Sequence, residues 1–382
     1  MHFAYSEVEI TPSKPVQLGG FAHRIGYVNE VHQPLYLRLI AVGNVWLFTA
    51  DLLWWDDQLI LKWKDKLALK GVTALFHASH SHCTPNTHTE LSNILGEIDL
   101  DYINFLEACI LECTQTLNNF TCNNVQISDN IVDVGSYRRR KVGNIIKMAP
   151  NEEQKINKKV TSIILSEGDE AKILFVHFAC HPTVSDMNKI SSEYCGTVIS
   201  ELKKTYQIPI IFLQGFCGDI RPNLITQGEY YRGSKDDIER IGYQIVQAVK
   251  ESKKVLSERL YLKPLVKTDE INFELFETQV APISCSRFEK SELPFRSSLL
   301  SISPQCSFIF ANAEMSNFYQ DHLNKVYGVG YTDGMIGYVA TQKQIKNGGY
   351  EGKEFIKAFG NRGTFDPSIE MKIHQMWKGW LK

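Results

Sequence analysis

The sequence predicts an α/β fold in which mixed sheets are flanked by helices. Strand-like apolar runs alternate with segments of helical spacing along most of the 382 residues, which is the order typical of α/β architectures. Three of the predicted strands end directly in polar residues, and ligand sites gather at that edge of open α/β sheets. No repeat of fixed period and no low-complexity segment interrupts the alternation.

The first half of the chain begins with a predicted β-hairpin. Two strand-like runs, 35–42 and 45–50, flank the two-residue turn Gly43-Asn44, which is typical of hairpin loops. Residues 149–159 are polar and are predicted to form a loop. The apolar spacing predicts helices at 57–69 and 102–117 and strands at 71–79, 125–134 and 160–165.

The second half alternates in the same way. The charged stretch 251–258 suggests a boundary between two lobes near 251–260, within a single domain that spans residues 1–382. The spacing predicts strands at 173–179, 209–213, 307–311 and 336–341, and helices at 193–204, at 236–250, from about Ser316 and after Asp366-Pro367.

Composition and charge exclude several classes of function. The formal net charge is -2, so no global field attracts nucleic acid or an anionic membrane. No apolar run approaches the roughly 20 residues of a membrane helix, and the first residues do not resemble a signal peptide. The nine cysteines form no Cys-x-x-Cys pair, which favours reduced thiols. We therefore expect a cytoplasmic protein with no nucleic-acid or membrane partner.

Two histidines follow the strand-like run 71–79. In an extended segment residues two apart face the same side, so His80 and His82 can point together into one site. Neutral imidazole is a good zinc ligand. Taken alone, the His-x-His pattern fits a pair of hydrogen-bonded surface histidines equally well.

Polar residues follow other predicted strands as well. His181 comes after the run 173–179, and Glu314 comes after the run 307–311. A short turn at 215–223 contains two glycines, which allow close approach of the backbone to a ligand. Singly, each of these features also fits an ordinary structural role.

Together and in this order, the segments resemble the N-terminal catalytic domain of the neutral/alkaline non-lysosomal ceramidase family. The resemblance spans nearly the whole chain, and the order of the motifs is more specific than any one of them. The segments that carry it are Val8-Glu9-Ile10-Thr11-Pro12, Leu18-Gly19-Gly20, Val31-His32-Gln33-Pro34-Leu35-Tyr36, Thr49-Ala50-Asp51-Leu52-Leu53, His80-Ser81-His82, His181-Pro182, Gly218-Asp219-Ile220-Arg221-Pro222-Asn223, Gly337-Tyr338-Val339-Ala340-Thr341 and Gly348-Gly349-Tyr350-Glu351-Gly352.

The resemblance implies one catalytic Zn2+ held by two histidines, a glutamate and a tyrosine. Residue by residue, the matching positions are His80, His181, Glu314 and Tyr338. Tyrosine is an unusual ligand because a free phenol has a pKa of about 10. A divalent cation can lower that pKa, as it does for water.

Further candidates surround these four positions. His82 is a candidate proton shuttle or oxyanion donor, and Asp219 is a candidate catalytic residue in the glycine-rich turn. Asp51 fits two interpretations equally: an acceptor that orients a ligand histidine, or the N-cap of the following helix. Arg138 or Arg139 lies in a basic run that fits either a solvated loop or a contact with an anionic substrate group.

The chain departs from the family at one position of special interest. The ceramidases have a catalytic serine in the Gly-Asp-x-Ser-Pro-Asn loop, where this sequence has Arg221. The hydroxyl is replaced by a permanent cation with five donors, which suits a carboxylate or phosphate. The carboxy-terminal Ig-like domain of the ceramidases also has no counterpart in the 382 residues. We therefore do not expect ceramide in a membrane as the substrate.

The leading hypothesis is a zinc-dependent hydrolase that cleaves the amide (N-acyl) bond of a small polar or anionic substrate. A zinc ion activates water and polarises a carbonyl group, and the retained ligand set supports this chemistry. A zinc-dependent esterase uses the same chemistry, and the sequence does not choose between the leaving groups. A non-catalytic binding homologue is a third hypothesis, motivated by the lost serine and disfavoured by the retained ligands.

Overall fold

Three five-stranded mixed sheets form the framework of the protein. The structure is a computed structural model and describes residues 1–91, 93–277 and 283–381. Helices flank the sheets, so the predicted α/β class with mixed sheets is confirmed.

The first sheet comes from the first third of the chain and has the strand order β4-β3-β2-β1-β5. β3 and β4 are parallel and the other pairs are antiparallel. The predicted hairpin is confirmed as β2 and β3, with Gly43 at a φ of 59° in the turn. The elements are β1 (His2–Glu9), β2 (Tyr36–Val42), β3 (Val45–Ala50), α1 (Asp57–Ala68), β4 (Thr73–Ala78), a 3₁₀ turn (Asn93–Leu95), α2 (Leu100–Gln115) and β5 (Asn118–Thr121).

The second sheet has the order β12-β11-β10-β6-β16, with β11 and β12 parallel. The segment proposed as a lobe boundary contains β16, the edge strand of this sheet, and the division into lobes stays a prediction. The elements are β6 (Asn124–Ile131), β7 (Gly135–Tyr137), β8 (Arg139–Val142), β9 (Ile145–Met148), β10 (Lys159–Glu167), β11 (Glu170–Phe178), α3 (Glu193–Tyr206), β12 (Ile210–Gln214), β13 (Ile220–Pro222), β14 (Ile225–Thr226), β15 (Glu229–Tyr230), α4 (Lys235–Lys250) and β16 (Lys253–Arg259).

The third sheet repeats the pattern, with the order β21-β19-β18-β17-β23 and a parallel β19–β21 pair. A separate parallel pair, β20 with β22, lies beside it. The elements are β17 (Leu265–Glu277), a 3₁₀ turn (Ser286–Glu289), β18 (Glu292–Ser303), β19 (Cys306–Ala311), β20 (Glu314–Met315), a 3₁₀ helix (Asn317–His322), β21 (Val326–Val329), β22 (Tyr338–Val339), α5 (Gln342–Asn347), a π-helical turn (Tyr350–Glu354), α6 (Ile356–Phe359), β23 (Gly363–Phe365) and α7 (Ile369–Trp380).

The three sheets share an inner apolar core, which contains no helix residue among those that the structure describes. Alternate side chains of one strand go to opposite faces, and β11 shows the consequence: Phe175 belongs to the inner core and Val176 to the outer core that includes the helices. Leu75 of β4 and Phe308 of β19 join Phe175 in the inner core. Strands buried on both faces appear in a sequence as continuous apolar runs, which is why these strands were predicted correctly.

The helices cover the outer faces of the sheets. α4 buries Ile238, Ile241, Ile245 and Val249 along one stripe, and Ser234 caps its first turn in a capping box with Asp237. No helix among the described residues combines the length and the apolar composition that crossing a bilayer requires.

Predictions in the last third of the chain were less accurate than those before it. The helix expected from Ser316 is a short 3₁₀ helix, and the strand expected at 336–341 is reduced to the two residues of β22. The long β17–β18 hairpin was not predicted at all. Its strands alternate polar with apolar residues, and the connection between them lies partly outside the described residues.

His77 joins the parallel edges of the three sheets. Its Nδ1 donates to the carbonyl of Gly330 over 3.0 Å, and its Nε2 accepts from the backbone N–H of Gln214 over 3.1 Å. Only the neutral ring can make both bonds, and burial lowers the pKa of His77 to about 3.

This depressed pKa predicts a loss of stability in acid. Below about pH 6.5 His77 is protonated in the unfolded chain, whereas in the folded chain it stays neutral down to about pH 3. The free energy of unfolding therefore falls as the pH drops through that window. We expect His77→Leu to cost about 1–3 kcal/mol at pH 7, because Gln214 N–H loses its partner, and to flatten the pH dependence. Urea unfolding between pH 4 and 8 measures both effects, with the exposed His23→Leu as the control. An unchanged slope in His77→Leu would contradict the assignment.

Candidate metal centre

Each of the three sheets delivers one polar side chain to the same point. His80 lies just beyond the end of β4, His181 just beyond β11, and Glu314 just beyond β19. All three side chains are buried. Residues that are far apart in the chain therefore meet because the parallel edges of the three sheets meet.

His80 reaches this point through an unusual backbone conformation. Its φ is 67°, in the left-handed region that histidine enters more readily than most residues. The segment is therefore not extended there, so the reasoning that paired His80 with His82 was wrong. Their proximity was predicted correctly, since the two ring centroids lie 4.7 Å apart. Tyr331, also at positive φ, stacks on the His80 ring with a centroid distance of 4.0 Å.

Backbone carbonyls fix the tautomers of the three histidines. Nδ1 of His80 lies 2.9 Å from the carbonyl oxygen of Leu53, and Nδ1 of His181 lies 2.9 Å from that of Cys217. Nδ1 of His82 lies 3.1 Å from the carbonyl oxygen of Gly20. A carbonyl oxygen only accepts, so each Nδ1 carries the proton and each Nε2 presents a lone pair.

These three lone pairs converge beside an unpartnered carboxylate oxygen. The Nε2 atom of His80 lies 3.2 Å from that of His181 and 3.1 Å from that of His82. Oε2 of Glu314 lies 3.0 Å from Nε2 of His181 and 3.4 Å from Nε2 of His80, yet it is buried without a hydrogen bond. Tetrahedral ligands at about 2.0–2.1 Å from zinc lie about 3.3 Å from one another. The spacing therefore fits a cation, and the three histidines form a group able to hold one.

The charges at this point also suit a cation. Burial, followed by the neighbouring Arg138, lowers the pKa of His181 to about 4. Burial and the neighbouring His80 hold the pKa of His82 well below its usual value. Burial opposes ionisation of Glu314, but the adjacent His80 and His181 keep its pKa well below the ordinary range. Metal binding requires neutral imidazoles and an ionised carboxylate, and the lowered pKa values of His181, His82 and Glu314 favour those states.

Tyr338 is placed next to Glu314 by the β20–β22 pair, in which the two residues are register partners. Arg138 donates to the Tyr338 hydroxyl over 3.0 Å, and Glu351 holds the same guanidinium over 2.6 Å. Burial and Glu314 raise the pKa of Tyr338, while Arg138 opposes the rise. The structure thus brings together all four residues predicted as ligands, and their metal-binding role stays a prediction.

His82 lies on the open side of the cluster. Unlike His80 and His181, its side chain is partly exposed. Its ring centroid lies 5.0 Å from that of Phe21, and its carbonyl accepts from Arg24 over 2.5 Å. A substrate that approaches from solvent therefore meets His82 before it meets the other histidines.

Two carboxylates have contacts other than those expected. Asp219 accepts from Ser316 at 2.5 Å, from the Asn317 backbone and side chain, and from Gln344 at 2.6 Å. Its carboxylate is thus occupied by neutral donors from the surrounding structure, and its catalytic role stays a prediction. Asp51 accepts from Arg38 at 3.1 Å and from the backbone of Tyr36, so it neither orients a ligand histidine nor caps a helix. Asp56 is the N-cap of α1.

The first two arginines of the basic run, Arg138 and Arg139, are neither solvated nor available to bind an anionic group of a substrate. Arg139 donates to the Glu351 carboxylate and to the backbone carbonyls of Gln344 and Gly348. Arg138 uses Glu351 and Tyr338, as described above. Both arginines are buried, so this run holds the last part of the chain against the metal centre.

Sequence reasoning gave no role to two tyrosines at the site. Tyr350 lies in the glycine-rich 348–352 motif, and its ring centroid is 5.3 Å from that of Tyr338. Tyr331 stacks on His80 and lies 3.1 Å from the Cys217 sulfur through its hydroxyl. The motif around Tyr350 was a usable signal, whereas nothing in the sequence around Tyr331 marks it.

The arrangement of the three mixed sheets has counterparts among solved structures. The chain superposes on the crystal structure of neutral ceramidase from Pseudomonas aeruginosa with a TM-score of 0.75 and 14% identity, over 98% of this chain and 73% of that chain. A structure of ceramidase complexed with C2 gives a TM-score of 0.74 and 14% identity, over 98% and 74% of the two chains. The predicted ceramidase fold is therefore confirmed. No protein-family model and no curated protein sequence matches the chain.

The geometry predicts stoichiometric zinc binding. We expect about one zinc ion per chain in protein purified without chelator, because histidine nitrogens and a carboxylate oxygen are already gathered at ligand spacing. His181→Ala should weaken zinc binding by at least about 100-fold, more than the loss of an orienting partner does. Mass spectrometry of metals and a competition titration with a chelating dye measure both quantities. The exposed His23→Ala is the matched control, and equal zinc affinity in both variants would contradict the assignment.

Proposed function

We propose that the protein is a zinc-dependent hydrolase that cleaves the amide (N-acyl) bond of a small polar substrate. The observation that supports this most strongly is the convergence of histidine lone pairs on a buried, unpartnered oxygen of Glu314. Neutral ceramidase, which shares the fold, supports hydrolysis of an amide as the reaction class. His80, His181, Glu314 and Tyr338 would hold the ion, which supplies activation of water and polarisation of a carbonyl group.

His82 is suited to move the proton. Its Nδ1 is committed to the Gly20 carbonyl, so only Nε2 can accept a proton. The lowered pKa of His82 keeps this atom unprotonated at neutral pH. In the proposed reaction Nε2 takes a proton from the attacking water and returns it to the departing amine nitrogen.

The buried Arg138 is suited to stabilise the carbonyl oxygen of the substrate during the reaction. Glu351 fixes its guanidinium, which donates to the Tyr338 hydroxyl and lies 5.9 Å from the centre of the Tyr350 ring. Coulombic interaction with Tyr338 and Glu351 outweighs burial and raises the pKa of Arg138. A fixed cation beside two phenols stabilises negative charge that develops on a carbonyl oxygen.

Arg221 defines how this reaction departs from that of the ceramidases. Arginine lacks the hydroxyl group of the catalytic serine that the resemblance implies at this loop position. The proposed reaction therefore uses water directly. The expected substrate is a soluble N-acyl compound in a reducing compartment, consistent with nine free cysteines and with burial that raises the pKa of Cys83 to about 12.

A panel of N-acyl compounds tests the proposed function. Zinc-loaded protein should release primary amine from at least one N-acyl amino acid or N-acyl amino sugar, as detected with fluorescamine. Glu314→Ala should abolish release, because it removes a buried donor to the ion. Matched esters in the same assay separate an esterase from an amidase. Absence of turnover across both panels by the zinc-loaded protein would overturn the proposal in favour of a binding protein.

Two variants test the proton-moving role of His82. His82→Ala should lower kcat by about 10²–10⁴-fold, the usual range for general acid–base catalysis, while zinc stays bound.

Gly20→Ala tests the position of the ring without removing it. At Gly20 a Cβ would lie 2.4 Å from Nδ1 of His82, whereas at Gly26, also at positive φ, it would meet nothing within 4 Å. Both substitutions should cost about 1 kcal/mol of stability, but only Gly20→Ala should lower kcat. Equal kcat in the two glycine variants would contradict the role of the ring.

A further inference from the structure

Arg221 is a buried cation without a counter-charge. Only 9% of the residue is exposed, and it has no side-chain hydrogen bond or ion pair among the described residues. Burial, followed by the neighbouring Arg232 and Arg138, lowers its pKa to about 10. Withdrawing a charge from water without a partner is costly, so an anion from outside the chain would stabilise Arg221.

The surrounding carboxylates are committed elsewhere. Glu351 pairs with Arg138 and Arg139. Asp186 lies 3.0 Å from His23 and 3.7 Å from Arg232. The Asp219 carboxylate, as described above, is occupied by neutral donors. None of the three pairs with Arg221.

The backbone places Arg221 beside the metal centre. It lies in β13, directly after the turn in which the Cys217 carbonyl holds His181. In that turn Gly218 packs so closely on Glu314 that a Cβ would lie 2.6 Å from the Glu314 carbonyl oxygen. The Tyr230 ring supports the guanidinium at 4.9 Å, so the orientation of Arg221 is fixed before any ligand binds.

Arg232 approaches from the side of His82. Its guanidinium lies 4.5 Å from the centre of the Phe21 ring, which in turn contacts the His82 ring. After burial, Arg232 lowers the pKa of Arg221 more than any other charge does, which agrees with the placement of both guanidinium groups on aromatic rings beside the site. Asp186 already offsets part of the Arg232 charge. The pair therefore has about one uncompensated positive charge.

We propose that Arg221 and Arg232 form a subsite that binds a carboxylate of the substrate beside the metal centre. A single negative charge with two oxygens matches one uncompensated charge and the planar donor fork of arginine. The subsite deepens the proposed function, because it identifies the substrates as N-acyl amino acids or related N-acyl acids. The claim that the bound compounds are hydrolysed rests on the proposed function, whereas the claim that the subsite binds a carboxylate does not.

Binding of three matched probes tests the subsite. The probes are N-benzoylglycine, its carboxamide and the corresponding aminomethylphosphonate, titrated calorimetrically into zinc-loaded protein in a His82→Ala background to slow turnover. We expect the carboxylate to bind about tenfold or more tightly than the carboxamide, as a charged hydrogen-bonded pair implies. Tighter binding of the phosphonate than of the carboxylate would overturn the carboxylate assignment.

Variants then locate the preference. Arg221→Met should abolish the preference for the carboxylate, Arg232→Met should reduce it, and Arg221→Lys should retain part of it. The control is Arg240→Met, an exposed arginine paired with Asp237 at 2.7 Å, which should leave it unchanged. Equal binding of the carboxylate and the carboxamide by the His82→Ala protein would overturn the subsite. A preference for the carboxylate that survives Arg221→Met would overturn it as well.

The outcomes distinguish the subsite from the proposed function. Arg221-dependent binding of the carboxylate without hydrolysis of any N-acyl compound by the His82-containing protein leaves the subsite intact and removes the hydrolase. Hydrolysis of N-acyl compounds with equal kcat/KM for acids and amides removes the subsite and leaves the hydrolase.

Discussion

The protein is organised around the converging Nε2 atoms of three imidazoles. Backbone carbonyls hold the Nδ1 protons of His80, His82 and His181, so their Nε2 atoms face one another. A buried oxygen of Glu314 lies beside two of them, those of His80 and His181, without a hydrogen bond. Lone pairs and a carboxylate in van der Waals contact repel one another, and low dielectric strengthens that repulsion. A cation relieves it, and the rest of the site is arranged around that point.

The fold explains why such distant residues meet. Each sheet has one parallel strand pair at an edge, and one side chain extends beyond a strand of each pair. The apolar core shared by the sheets keeps these edges together. His77 links them directly, since it bonds to Gln214 at the end of β12 and to Gly330 just after β21. The stability of the core and the geometry of the centre are therefore not independent.

Part of the fold and part of the centre could be predicted from the sequence. Strands that are buried on both faces form continuous apolar runs in the sequence. β4, β11 and β19, and the polar residues that follow them, could therefore be predicted. The β17–β18 hairpin was missed because its pairing partner is distant and its polar residues interrupt the run. Asp51 was misassigned because sequence does not show that Arg38 faces it across the β2–β3 pair. The left-handed backbone conformation of His80 could not be predicted either. The proximity of His80 and His82 was predicted correctly, but from the assumption that the segment is extended.

Arg221 connects specificity to the same geometry. The turn that fixes His181 through the Cys217 carbonyl continues directly into the strand that carries Arg221. In the proposed function the side chain at position 221 sets the substrate preference, whereas the backbone of the same turn positions His181.

Anomalous diffraction at the zinc edge from crystals of the zinc-loaded protein tests the central claim most directly. The account predicts one strong peak bounded by Nε2 of His80, Nε2 of His181 and a carboxylate oxygen of Glu314, at the about 2.0–2.2 Å distances of zinc ligands. A zinc ion bound elsewhere, with these three atoms unchanged and unligated, would contradict it.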